Sequence, residues 1–218
     1  EIYTLSLHDA LPITLPEAAA ETAALQARIS SQFPTTRIWA LPNHGRDIFP
    51  FIFLLRAGVL APYAAVCKLH SKKSPHRADG ADWRQLLIQG VLGDPARTES
   101  RLRAFLADPR AGIWVADGQH CQGDDWWGMN QPRTAELLAR NDIVIAGQPL
   151  AFPAGSIYWI KPPVLAQLAA LGLDETAFEP EQALVDGTTA HALERAMGYL
   201  TGAAGLDIRE AQALDPVG

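Results

Sequence analysis

From Thr14 onward the apolar residues recur in two alternating rhythms, short strand-like runs and longer helical stretches. Pro16 opens an alanine-rich helical pattern over 17–33, with proline where a first helical turn tolerates it. Residues 36–41 predict a short strand, ended by Pro42 and the loop Asn43-His44-Gly45-Arg46. Asp47 then stands as an N-cap for an apolar helix over 48–60, with Pro50 in its first turn. A second strand is predicted over 63–69, broken by the polar loop that runs from His70 to Pro75. Helices follow over 81–92 and, after the cap Asp94-Pro95, to about 106; a third strand covers 112–116. Residues 117–132, rich in Gly, Asp and Trp, are of the kind that is either functional or poorly ordered. A helix over 132–140, strands near 143–146 and 156–160, a helix over 162–171 and a last helix over 187–203 complete the pattern. Strands separated by helices predict an α/β fold with a mostly parallel sheet, in one domain over 14–210.

Composition narrows the classes. The 218 residues are 48% apolar and 19% charged, with a net charge of −6. That length supports one core without disulfides, and no apolar run reaches the roughly 18 residues that span a bilayer. The acidic balance argues against non-specific nucleic-acid binding. Two cysteines fit a reducing, cytoplasmic compartment, and Cys67, in an apolar run, reads as a small core hydrophobe. Residues 1–13, EIYTLSLHDALPI, have neither the charge nor the cleavage site of a signal peptide. Over all thirteen positions they resemble the conceptual translation of a short-read sequencing adapter, and they are expected to lie outside the fold. On that reading about 205 residues are natural, their charge is near −4, and the domain is truncated at its N-terminus.

Three loops carry candidate chemistry, two of them beyond strand ends, where α/β sheets place their ligands. In Asn43-His44-Gly45-Arg46-Asp47, glycine permits close backbone approach, Arg46 offers a planar fork for phosphate, and a helix start adds amide donors. Equally, Asp47 serves as a simple cap with Arg46 its surface partner. Lys68, His70, Lys72 and Lys73 form a basic cluster able to neutralise a diphosphate without a metal, or else a solvated charged loop. Lys68 differs, because an inward-facing lysine needs an anionic partner. His191 and Glu194 are three apart on one helical face, and Asp186 precedes that helix as an N-cap or as a general base. Asp124 and Asp125 are a weak candidate pair for Mg²⁺ or Mn²⁺. Trp126 and Trp127 either stack on a sugar face or plug the core beneath their loop.

Read in series, the blocks Asn43–Ile48 with Pro50-Phe51, Cys67–Ser74, Trp83-Arg84, Trp127–Asn130, Phe152–Trp159, and Glu179 with Asp186–Arg195 resemble the rhamnan synthesis protein F family. The resemblance extends over about 155 residues, and the family pattern begins further upstream with an extra strand and helix. It implies a glycosyltransferase-like protein of single-domain nucleotide-sugar transferase (GT-A-like) architecture, acting in rhamnose-containing polysaccharide synthesis. It further implies dTDP-rhamnose as donor, a lipid-linked glycan as acceptor, other transferases as partners, and a place at the inner membrane face. Asn43, Gly45, Arg46, Asp47, Lys68, His70, Lys72 and Lys73 then bind the donor diphosphate, and Trp127, Asn130 and Gly155 face the acceptor. Asp186 removes the acceptor proton, tuned by His191 and Glu194. The basic loop falls where that fold keeps its metal-binding acids, so no cofactor is expected and a divalent metal is left in doubt. The rival class is a non-catalytic glycan-binding or partner module.

Overall fold

The computed structural model describes residues 12–17, 21–71, 79–182 and 184–216. Lys72 and Lys73 therefore lie outside the described residues, as do residues 1–11 of the adapter-like stretch. Pro12 and Ile13 do not stay outside the fold: they begin β1 (Pro12–Pro16), which pairs in parallel with β2 (Arg37–Leu41) across α1 (Thr22–Gln32). The register sets Ile13 against Ile38 and Leu15 against Ala40, so apolar alternation extends two residues upstream of Thr14.

The larger sheet has the order β3 (Val66–Lys68), β7 (Tyr158–Ile160), β4 (Ala111–Val115), β8 (Asp207–Glu210). It is mixed rather than mostly parallel. β7 runs antiparallel to both β3 and β4, and only β4 and β8 are parallel. The reason is local. β6 (Ala151–Pro153) pairs with β5 (His120–Gln122), and a tight turn with Gly155 at φ 85° and Ser156 at φ 58° then brings the chain back as β7. β8 was not legible in the sequence because three of its four residues are charged and only Ile208 is apolar. Conversely, the strand expected near 143–146 is a loop between left-handed Asp142 and Gly147; Ile143 and Ile145 still pack inward while Val144 is exposed.

Helices cover both faces of this sheet, as period-two alternation along its strands requires. Ile113, Val115, Tyr158 and Ile160 point into one core. It is shared with α2 (Ile48–Arg56), α5 (Gln131–Ala139), α6 (Pro162–Ala170) and α7 (Thr189–Ala203). Trp114, Ile157 and Trp159 point the other way, into a core with α3 (Gly80–Leu92) and α4 (Pro95–Ala107). There Trp114 and Trp159, cross-strand partners, stack with centroids 5.8 Å apart. Cys67 packs against this second core, and burial pushes its thiol up, as expected of a small hydrophobe. The fold continues past 210: Ala211 and Leu214 are buried, and Asp215 binds Arg97 and Arg101. Among the described residues no helix is long and apolar enough to cross a membrane.

α7 lies hard against β6, and Gly198 is why it can. A Cβ there would meet the Ala151 carbonyl oxygen at 1.6 Å, whereas one at Gly202 meets nothing within 4 Å. Gly198→Ala is expected to destabilise the fold by about 3 kcal/mol and Gly202→Ala to stabilise it by about 0.5–1 kcal/mol, measured by urea unfolding.

Candidate functional site

A cleft of about 1120 Å³ opens between the β1–β2 pair and β3, an edge strand of the larger sheet among the described residues. One end is apolar, walled by β1, Leu25, Leu54, Leu60 and Val66; the other gathers Arg46, Asp47, Lys68, His70, His191, Glu194 and Arg195. The polar end is where residues from all three candidate loops meet.

Lys68 anchors it. The side chain is only 4% exposed, and an ammonium has three protons to place. They go to Asp47 Oδ2 at 2.5 Å, Ser156 Oγ at 2.8 Å and the Ser156 carbonyl at 2.9 Å. The anionic partner that a buried lysine needs is therefore Asp47, and Lys68 has no proton left for a ligand. Asp47 occupies the N-cap position of α2, but its side chain caps nothing and faces Lys68 instead. Burial alone would raise the Asp47 carboxyl; the adjacent Lys68 ammonium and His70 outweigh it and hold the group well below the usual carboxylate range. His70 Nε2, 3.8 Å from that carboxylate, donates to the Gly155 carbonyl at 3.0 Å.

Gly45 and Arg46 both take left-handed conformations, φ 56° and 57°. The space where a Gly45 Cβ would stand is filled by the Phe178 ring at 2.5 Å, so this glycine admits a core aromatic rather than a ligand. Arg46, with a Cβ, holds that conformation at a cost of about 1–2 kcal/mol. Its Nη1 lies 2.6 Å from His191 Nε2 and donates to the Leu184 carbonyl at 3.3 Å; Glu181 approaches its Nε only to 3.9 Å. Asn43, exposed at the cleft, accepts the Glu181 amide through its own carbonyl.

An arginine only donates, so His191 Nε2 is the acceptor and the imidazole proton sits on Nδ1. From there it reaches Thr188 Oγ1 at 2.7 Å. Thr188, not Asp186, is the N-cap of α7. Burial, then Arg46 and Arg195, push the His191 imidazole below its ordinary value, so it is neutral at pH 7. Glu194 accepts from the Gly155 amide at 2.8 Å and from Arg195 at 2.9 Å; it does not pair with His191, the neighbour expected from helical spacing.

Asp186 stands apart. It does not line the cleft, and both oxygens are engaged, Oδ2 by the Met129 amide at 3.0 Å and Oδ1 by Asn130 Nδ2 at 2.5 Å. Although burial opposes it, these donors hold its carboxyl below the usual range, which suits a loop staple better than a base. Asn130 is fully buried in this staple. Trp127 is a core residue, 6% exposed and stacked on Tyr199 with centroids 6.2 Å apart. Gly155 serves through its backbone, binding His70 and Glu194. Asp124 accepts the Trp127 indole proton at 3.2 Å, and it and Asp125 lie outside the cleft lining. Among the described residues no cluster of three or more His, Cys, Asp or Glu side chains is disposed to hold a metal ion. Ser156 and Arg195 are site residues to which the sequence assigned no role, although both sit within the blocks quoted above; their partners, 88 and 69 positions away, are invisible to local spacing.

The profile of the family described as rhamnan synthesis protein F matches residues 4–206. Two relatives from strains of Xanthomonas campestris pv. campestris, each named uncharacterized protein WxcX, are 35% and 34% identical over 156 residues, or 72% of this chain. The chain spans only 22% of the length of these relatives. No solved structure matches.

Two outcomes follow from the buried charges. Lys68→Ala leaves Asp47 uncompensated and is expected to cost about 3–5 kcal/mol in urea unfolding. Because the His191 pKa is lowered in the fold, the unfolded chain takes up the proton first as pH falls through 6.5. Stability therefore drops as pH falls below 7, and His191→Gln should flatten that part of the profile.

Proposed function

The chain belongs to the rhamnan synthesis protein F family, and from that premise we propose that it is a glycosyltransferase-like domain, GT-A-like in architecture, acting in rhamnose-containing polysaccharide synthesis. The donor is a nucleotide-diphosphate sugar, dTDP-rhamnose foremost, and the acceptor a lipid-linked glycan at the cytoplasmic membrane face.

One observation carries this reading: Arg46 is a strained cation held at the cleft by a neutral imidazole and a carbonyl, with the nearest carboxylate among the described residues, Glu181, at 3.9 Å. Non-glycine residues kept at positive φ concentrate where ligands bind. A guanidinium with neutral partners exchanges them readily for a diphosphate, which offers charged, bidentate acceptors. The other cleft cations are differently placed. Lys68 is saturated and Arg195 is shared with Glu194, while Lys72 and Lys73, which follow the cleft-lining Ser71 in sequence, lie outside the described residues.

In the transfer step, the acceptor hydroxyl oxygen bonds to the anomeric carbon as that carbon's bond to the diphosphate breaks. The diphosphate leaves with the electron pair, stabilised by Arg46 and the lysine loop. Once Arg46 has turned to the diphosphate, His191 Nε2 has a free lone pair and takes the hydroxyl proton, while Asp186 holds the neighbouring loops. The alternative, a module that only holds glycan, keeps the same cleft without this chemistry.

Donor kinetics in the complete protein test the reading. Arg46→Ala is expected to raise the donor KM roughly 10- to 100-fold, the loss of one or two charge-assisted hydrogen bonds. An unchanged KM removes Arg46 from the donor site. Asp186→Asn is expected to leave kcat within a few-fold while His191→Gln lowers it by about 100-fold or more; the reverse ranking returns the base to Asp186.

A further inference from the structure

Four of the exposed large apolar side chains come from two loops that touch: Trp126 (50% exposed) and Met129 (71%) from one, Leu184 and Val185 (68%) from the other. Exposure here is imposed by structure. Asp186 binds the Met129 amide and Asn130, Asn130 Oδ1 accepts the Gly187 amide at 3.2 Å, and a Cβ at Gly128 would stand 2.3 Å from Asp186 Oδ2. A polar staple of buried Asn130 and half-buried Asp186 thus holds apolar side chains out in water, which costs solvation free energy and is the mark of an interaction surface. The patch adjoins the polar end of the cleft. Val185 lines it, and Arg195, which also lines it, donates to the Trp126 carbonyl at 3.3 Å.

We propose that Trp126, Met129 and Val185 form the acceptor-sugar subsite, stacking the apolar face of a neutral 6-deoxyhexose ring beside the donor site. An indole face covers ring C–H groups while hydroxyls point outward. Asp125, exposed next to Trp126, supplies an acceptor for those hydroxyls. The same carboxylate, with exposed Asp124, sets the patch against an anionic bilayer surface, so a sugar fits better than a lipid headgroup layer. The subsite rests on the transferase reading for its role, but its occupancy by sugar does not depend on catalysis.

Nuclear magnetic resonance on the chain labelled with ¹⁵N in tryptophan indoles and arginine guanidinia separates the two claims. A rhamnose oligosaccharide is expected to shift the Trp126 indole resonance, identified by its loss in Trp126→Phe, and to leave Arg46 unmoved. Thymidine diphosphate is expected to do the opposite. Trp126→Ala, an exposed change that spares the core, should weaken oligosaccharide binding at least tenfold, and Trp126→Phe should retain most of it. Equal affinity in Trp126→Ala, or a Trp126 shift with anionic phospholipid vesicles and none with sugar, overturns the subsite. Failure of thymidine diphosphate to move Arg46 overturns the donor reading instead.

Discussion

A buried ammonium with three protons has to be met by three acceptors, and the cleft is arranged around meeting them. Lys68 sits at the end of β3, and its acceptors come from the loop before α2 and from the turn before β7. Three segments far apart in sequence are thereby set at hydrogen-bond distance. The linkage then continues. His70 reaches Gly155, Gly155 reaches Glu194 on α7, Glu194 holds Arg195, Arg195 donates to the His191 carbonyl, and His191 meets Arg46, which neighbours Asp47. The circuit closes on itself around the polar end of the cleft. Such a network is strong when every member is satisfied and costly when one is removed.

The circuit also divides the cations by task. Lys68 keeps Asp47 ionised, whereas Arg46 faces the cleft bonded to an imidazole and a carbonyl, with the Glu181 carboxylate 3.9 Å away. Sign and proximity alone would treat these two side chains alike. Hydrogen-bond capacity separates them, because a saturated donor contributes field and a weakly engaged one contributes contact. The same distinction favours reading Asp186 as a support: a carboxylate that already accepts an amide and an asparagine is a poor proton acceptor.

How much of this was legible in the sequence follows from range. The helices were, because their signals lie within a few residues: Asp94 caps α4, accepting from the Arg97 amide, and the apolar spacing of α2, α6 and α7 is unambiguous. Strand direction was not, since β7 turns antiparallel through two left-handed residues whose effect on topology no periodicity encodes. Most of the residues named from the sequence lie at or near the cleft, yet their hydrogen-bond partners are not those that local spacing suggests. Helical spacing suggested that His191 and Glu194 act on each other, while their actual partners, Arg46 and Gly155, lie 145 and 39 positions away. Of the adjacent tryptophans, Trp127 went inward and Trp126 outward, a choice made by Tyr199 and by the Asp186 staple rather than by composition.

In this arrangement Lys68 is expected to build the site and Arg46 to meet the ligand. Titrating thymidine diphosphate while following the Lys68 ammonium and the Arg46 guanidinium by ¹⁵N resonance tests it directly. A saturable shift at Arg46 is expected, with Lys68 stationary and still bonded to Asp47. A Lys68 resonance that moves with nucleotide while Arg46 stays fixed would contradict it.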